Sequence, residues 1–106
     1  MNLSSRWEQH QEGGAGGAIA TKTAEVNRQY WALAIAGHTD KNSLVQILDG
    51  TNVVWEIYVD VSQGSYFNEA MCIPGSRNTD MKAKIVSSTN DCFVSLTGYT
   101  AFSGDG

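Results

Sequence analysis

The chain has 106 residues, 42% of them hydrophobic and 17% charged, with one proline and a formal net charge of −4. That length holds a single hydrophobic core and leaves no room for a second independent domain, and the composition excludes a disordered chain. The acidic balance, with no block of basic residues, argues against a nucleic-acid binder, which needs concentrated positive charge; no apolar run reaches the roughly 18–20 residues of a membrane-spanning helix, and the first residues lack the apolar stretch of a secretory signal.

Residues 1–17 read as an arm on a hinge, separate from a domain at 18–106. The stretch from Met1 to Glu12 is polar apart from Leu3 and Trp7, and Gly13-Gly14-Ala15-Gly16-Gly17 carries almost no side-chain mass. A glycine run is costly to order and leaves the backbone permissive, so deleting the arm is expected to leave the domain folded. Trp7 has two readings: packed back on its own domain, or an anchor docked on a neighbouring subunit, where tryptophan is a favoured hot-spot residue. Asn2-Leu3-Ser4 fits the glycosylation acceptor pattern, a chance match in a chain expected to fold in the cytoplasm.

From residue 18 onward, short apolar runs alternate with turn residues. Residues 18–26 form a weak strand rich in Thr and Ala. Residues 30–36 form the second, with bulky Trp31, Leu33 and Ile35 opposed to Tyr30, Ala32, Ala34 and Ala36. Gly37-His38-Thr39-Asp40-Lys41-Asn42 is a loop by composition. Residues 44–48 make the third strand, and Asp49-Gly50-Thr51-Asn52 turns it into the fourth, the clearest hairpin in the chain because Asp-Gly readily takes positive φ.

That fourth strand, Val53-Val54-Trp55-Glu56-Ile57-Tyr58-Val59, sets Val53, Trp55, Ile57 and Val59 on one face and Glu56 with Tyr58 on the other. A fifth strand runs over 66–73, where Phe67, Met71 and Ile73 share a face with Glu69, an inward charge that requires an edge, a bulge or an interface. Pro74 closes it, since proline cannot donate to a ladder. Residues 81–87 are the sixth, with Lys82 and Lys84 on a solvated face, and Ser88-Thr89-Asn90-Asp91 turns into the seventh at 92–102, which Gly98 bends or bulges. Seven short strands predict an all-β antiparallel sandwich of jelly-roll or Greek-key type, with a closed barrel or an oligomer-completed sheet as alternatives.

Chemistry is poorly represented. Cys72 and Cys92 lie among apolar neighbours and read as two buried thiols, and with His10 and His38 they make no metal-binding spacing. His38 beside Asp40 lacks a marked nucleophile to serve, the carboxylates Asp49, Glu56, Asp60 and Glu69 show no paired arrangement, and the glycine run lacks the lysine and hydroxyl of a phosphate loop. No catalytic, cofactor-binding or metal-ligating residue is expected. What the chain offers is contact surface: Trp7, Tyr30, Tyr58, Tyr66, Phe93 and Tyr99 are the candidate interface residues, and if several share one sheet they make a patch suited to subunit contact.

The progression Tyr30-Trp31-Ala32-Leu33-Ala34-Ile35, then Ser43-Leu44-Val45-Gln46-Ile47-Leu48-Asp49-Gly50, then Val53-Val54-Trp55-Glu56-Ile57-Tyr58-Val59 and a closing Cys92-Phe93-Val94-Ser95-Leu96-Thr97-Gly98-Tyr99 resembles small β-sandwich virion proteins of tailed bacteriophages. The resemblance covers roughly residues 28–102. It implies a capsid decoration or cement subunit, or a neck or tail accessory protein, self-associating as a homotrimer or other small oligomer. It also implies contact with the major capsid protein or other virion proteins and a place in the virion, assembled in the host cytoplasm; the expectation of no cofactor, membrane or specific nucleic acid comes from the charge, hydropathy and motifs above. A carbohydrate- or protein-binding sandwich outside a virion is the competing class, and it requires exposed aromatics beside polar residues in a concave site.

Overall fold

The computed structural model describes residues 6–14, 16–86 and 91–102. Their strands are β1 (Arg6–Gly13), β2 (Ala18–Lys22), β3 (Arg28–Thr39), β4 (Ser43–Asp49), β5 (Asn52–Val59), β6 (Tyr66–Arg77), β7 (Met81–Val86) and β8 (Cys92–Phe102). The period-two runs drive this: Val45 and Ile47 in β4, Met81, Ala83 and Ile85 in β7, and Cys92, Val94 and Leu96 in β8 are all buried, while their neighbours in sequence reach the outer faces.

Two four-stranded antiparallel sheets result, in the orders β1-β8-β3-β6 and β2-β7-β4-β5. Strand 1 pairs with 8, 2 with 7, 3 with 6 and 4 with 5. Those are the pairings of one long hairpin, rolled so that successive pairs fall in opposite sheets, which is the eight-strand jelly roll. Tyr30, Ile35, Val45, Ile47, Met81, Ile85, Val94 and Leu96 fill the space between the sheets.

The segment expected as an arm is instead an edge strand. β1 pairs with β8 over its whole length, from Arg6 opposite Tyr99 to Gly13 opposite Cys92, so the domain begins well before residue 18. Gly14 bridges Gly17, and its carbonyl accepts from the Gly17 amide at 3.0 Å, closing a tight turn into β2. Gly13 has to be glycine, since a Cβ there would sit 2.2 Å from the Gly17 carbonyl oxygen. Gly13 thus serves close backbone approach, while Gly16 and Gly17 take the positive φ of the turn, at 95° and 88°, so these glycines build a turn and not a hinge. Asn2-Leu3-Ser4, Ala15 and the turn at Ser88-Thr89-Asn90 lie outside the described residues.

Three further corrections have local causes. A bulge at Leu33, where the register slips between Ala32 and Ala34 against both neighbouring strands, reverses the side-chain alternation within β3. Trp31 therefore faces outward and Ile35 inward, while Tyr30 and Ala32, expected on the outer side, are buried. β3 also runs on to Thr39, because Thr39 and Ser43 are buried and their hydroxyls lie 3.1 Å apart, both within reach of the Lys41 carbonyl, which shortens the loop to 40–42. Finally, β6 continues through Pro74 to Arg77. It is an edge strand, so a missing N–H costs nothing on its open side, and Asp49 holds its far end by accepting from the Ser76 amide at 2.9 Å and hydroxyl at 2.6 Å.

Candidate functional site

The outer face of the β1-β8-β3-β6 sheet brings chemistry-bearing residues together in rows. Glu12, Phe93, His38 and Tyr66 lie opposite one another across the four strands, followed by His10, Ser95, Ala36 and Asn68. Further along come Glu8, Thr97, Ala34 and Ala70, and then Arg6, Tyr99, Trp31 and Pro74. From Phe93 to Tyr99 the face runs about 20 Å at roughly 3.3 Å per residue. Its two central strands carry small residues in the middle and rings at both ends, with no carboxylate, lysine or arginine.

At one end His38 and Phe93 stack with centroids 6.3 Å apart and 17° between planes, and the Tyr66 ring lies 5.7 Å from His38. His38 Nε2 is 3.6 Å from Asp91 Oδ2. The rings enclose a shallow depression of about 480 Å³ lined by Ala36, Gly37, His38, Tyr66, Asn68 and Phe93, with Phe67 below. Gly37 makes this floor possible, as a Cβ would fall 2.0 Å from the Phe93 carbonyl oxygen. At the other end Trp31 and Tyr99 stack at 6.0 Å and 14°. Cross-strand aromatic pairs such as these each contribute about 0.2–1 kcal/mol.

The expected interface residues divide. Phe93, Tyr99 and Tyr66 lie on this face, Tyr66 with 82% of its surface exposed. Tyr58 is also exposed but belongs to β5 in the opposite sheet. Tyr30 is a correction: it is buried, and no partner can reach it. Its hydroxyl lies 2.6 Å from the Thr23 carbonyl and 2.9 Å from Glu25 Oε1; burial, then the Glu25 carboxylate, pushes its pKa above the ordinary phenol range. Trp7 packs edge-on against Tyr30 at 5.6 Å, over Gly98, within its own domain. Its indole N–H is buried and has no hydrogen-bond partner among the described residues.

Other residues also fall differently from expectation. Cys92 is buried as expected, but Cys72 is exposed, since β6 turns that residue outward. His38 sits at the end of a strand between two rings and beside Asp91, not in a polar loop with Asp40. Sequence reasoning missed Trp31, His38, Asn68, Ala34 and Ala36 as members of the face. The signal for Trp31 was Gly98, the residue beside which the bulge forms.

The outer face of the other sheet is different. It carries Lys82 and Lys84 on β7, Gln46 on β4 and Glu56 on β5, with the Gln46 amide donating to the Glu56 carboxylate. Ile19, Leu44, Leu48, Val53, Tyr58 and Val86 share that face, so it differs from the first in carrying formal charge at its centre and not in lacking apolar side chains.

Neither family models nor curated proteins give a match to this chain. Among solved structures, the coat protein of Tobacco streak virus is similar at 7% sequence identity and a TM-score of 0.41, over 92% of this chain and 89% of that one.

Proposed function

We propose that the chain is a virion structural protein, a capsid decoration or cement subunit that rests on the head of a phage and acts by contact, not catalysis. The observation that carries this reading is the outer face of the β1-β8-β3-β6 sheet, whose central strands present stacked rings and small side chains but no formal charge. An antiparallel sheet facing water normally alternates polar outward residues, whereas the core of an interface is depleted of charge and enriched in aromatics, with a polar rim. Arg6, Glu8, His10 and Glu12 on the β1 edge form such a rim.

The sequence resemblance to tailed-phage sandwich proteins, and the jelly roll as an architecture that capsids use, support the same reading at the level of analogy. The partner is the major capsid protein or another virion protein, and the subunit joins it after synthesis in the host cytoplasm. The face measures roughly 20 Å by 19 Å from strand spacings, about half the 800 Å² that a standard interface buries per partner. A single subunit would therefore bind weakly, and self-association would supply the remaining affinity.

Quantitative mass spectrometry of purified particles from cells carrying the gene tests this. A decoration subunit co-sediments in proportion to the major capsid protein, and a neck or tail accessory co-sediments at a few copies per particle. Recovery only in the soluble fraction would rule out both. A second reading, a carbohydrate-binding sandwich, is favoured by Asn68 beside the His38, Tyr66 and Phe93 depression; it requires glycan-array binding that is lost in Tyr66→Ala.

A further inference from the structure

We infer that the open edge of β5 pairs, antiparallel, with β5 of a second copy of this chain. The four sheet edges are unequal. β1 and β2, joined by the tight glycine turn, lie against one another and close one side of the sandwich. The free edges are β5 and β6.

β6 is guarded three ways: by Pro74, by register slips against β3, and by Glu69, which sits opposite the buried Ile35. Proline, bulges and inward-phased charges are the devices that keep edge strands from pairing. β5 lacks them over residues 55–59. It has no proline or lysine, its irregularity is confined to Val54, and the register from Trp55 to Val59 against β4 is regular. Trp55 and Ile57 point toward the core but remain partly exposed at this edge, and Tyr58 is 61% exposed.

A second copy fits because the strand is self-complementary in one register. Residues directly opposite in an antiparallel pair share a face. A two-fold axis at Ile57 sets Ile57 against the partner's Ile57, Trp55 against the partner's Val59, and Glu56 against the partner's Tyr58. An axis at Glu56 would oppose two identical carboxylates, one at Tyr58 would set Glu56 against the partner's Asp60, and one at Trp55 would run into the Val54 bulge. Such an axis stands perpendicular to the sheet, so the dimer has a continuous eight-stranded sheet and both β1-β8-β3-β6 outer faces point the same way. That bivalence, unlike the dimer itself, gains its meaning from the proposed attachment to a particle.

Sedimentation velocity of the purified full chain tests the inference. A dimer is expected at micromolar concentration. Ile57→Lys, which sets two ammonium groups together at the axis, weakens it about 100-fold. Tyr58→Lys changes only an exposed side chain and places an ammonium opposite the partner's Glu56; it tightens the dimer up to about fivefold at low salt, a gain abolished at high salt. A chain that remains monomeric on the order of 100 μM, where even a weak dimer populates, would overturn the inference, as would a trimer, or a dimer that Tyr58→Lys leaves unchanged or weakens.

Discussion

The two outer faces of this jelly roll are built on the same backbone plan and differ in what they ask of their surroundings. On the β2-β7-β4-β5 sheet, Lys82, Lys84 and Glu56 set formal charge, and Gln46 polarity, among the outward-facing Ile19, Leu44, Leu48, Val53, Tyr58 and Val86. On the β1-β8-β3-β6 sheet, the corresponding central positions hold Trp31, Ala34, Ala36, His38, Phe93, Ser95, Thr97 and Tyr99. Both sheets send buried side chains into the one core between them, Ile35, Val94 and Leu96 from one and Val45, Ile47 and Ile85 from the other, so the difference does not concern folding. A sandwich needs only one apolar side per sheet, and the second uncharged face is surplus to stability and suited to contact.

The largest test of that contrast places a charge on the uncharged face. Ala36→Lys leaves the free chain folded, since Ala36 points outward between Ser95 and Asn68, but buries an unpaired ammonium on attachment, at a cost of about 3–5 kcal/mol. Binding to particles, measured by co-sedimentation, falls at least about 100-fold while the melting temperature holds.

Next in size is Trp7→Ala, which strips the edge strand of the ring packed on Tyr30 and Gly98. It costs about 3 kcal/mol in urea unfolding, whereas an arm would lose nothing. Tyr30→Phe costs about 1 kcal/mol at neutral pH through the lost hydrogen bond. Because the native phenol holds its proton above the unfolded value of 10.0, the wild-type chain is fully stabilised by this group below about pH 10. It then loses about 1.4 kcal/mol per pH unit as the unfolded chain alone ionises, and the phenylalanine variant lacks that decline in alkaline melts. Smallest is Lys84→Ser on the charged face, expected to shift stability by no more than about 0.5 kcal/mol and to leave particle binding unchanged.

The sequence was most legible where period two was unbroken. Residues 44–48, 53–59, 81–87 and 92–102 fall on β4, β5, β7 and β8 within a residue or two, and the Asp-Gly hairpin turns with Gly50 at φ 64°. The all-β antiparallel sandwich followed from those strands. β1 was hidden because its pattern, Trp7, Gln9 and Gln11 toward one side, is polar apart from a single ring, and its pairing with β8 is a contact between the two ends of the chain. The uncharged face was only half visible. Phe93 and Tyr99 could be phased from β8, but Trp31 and Tyr30 exchanged sides at a bulge that no residue of β3 announces. Glu69 was an anomaly that the edge position of β6 explains.

Hydroxyl-radical footprinting of side chains, comparing the free chain with particle-bound chain, tests the central claim most directly. Trp31, Tyr66, Phe93 and Tyr99 are expected to lose reactivity on attachment, while amine labelling of Lys82 and Lys84 stays as in the free chain. Protection of the two lysines with the four rings still reactive would contradict it.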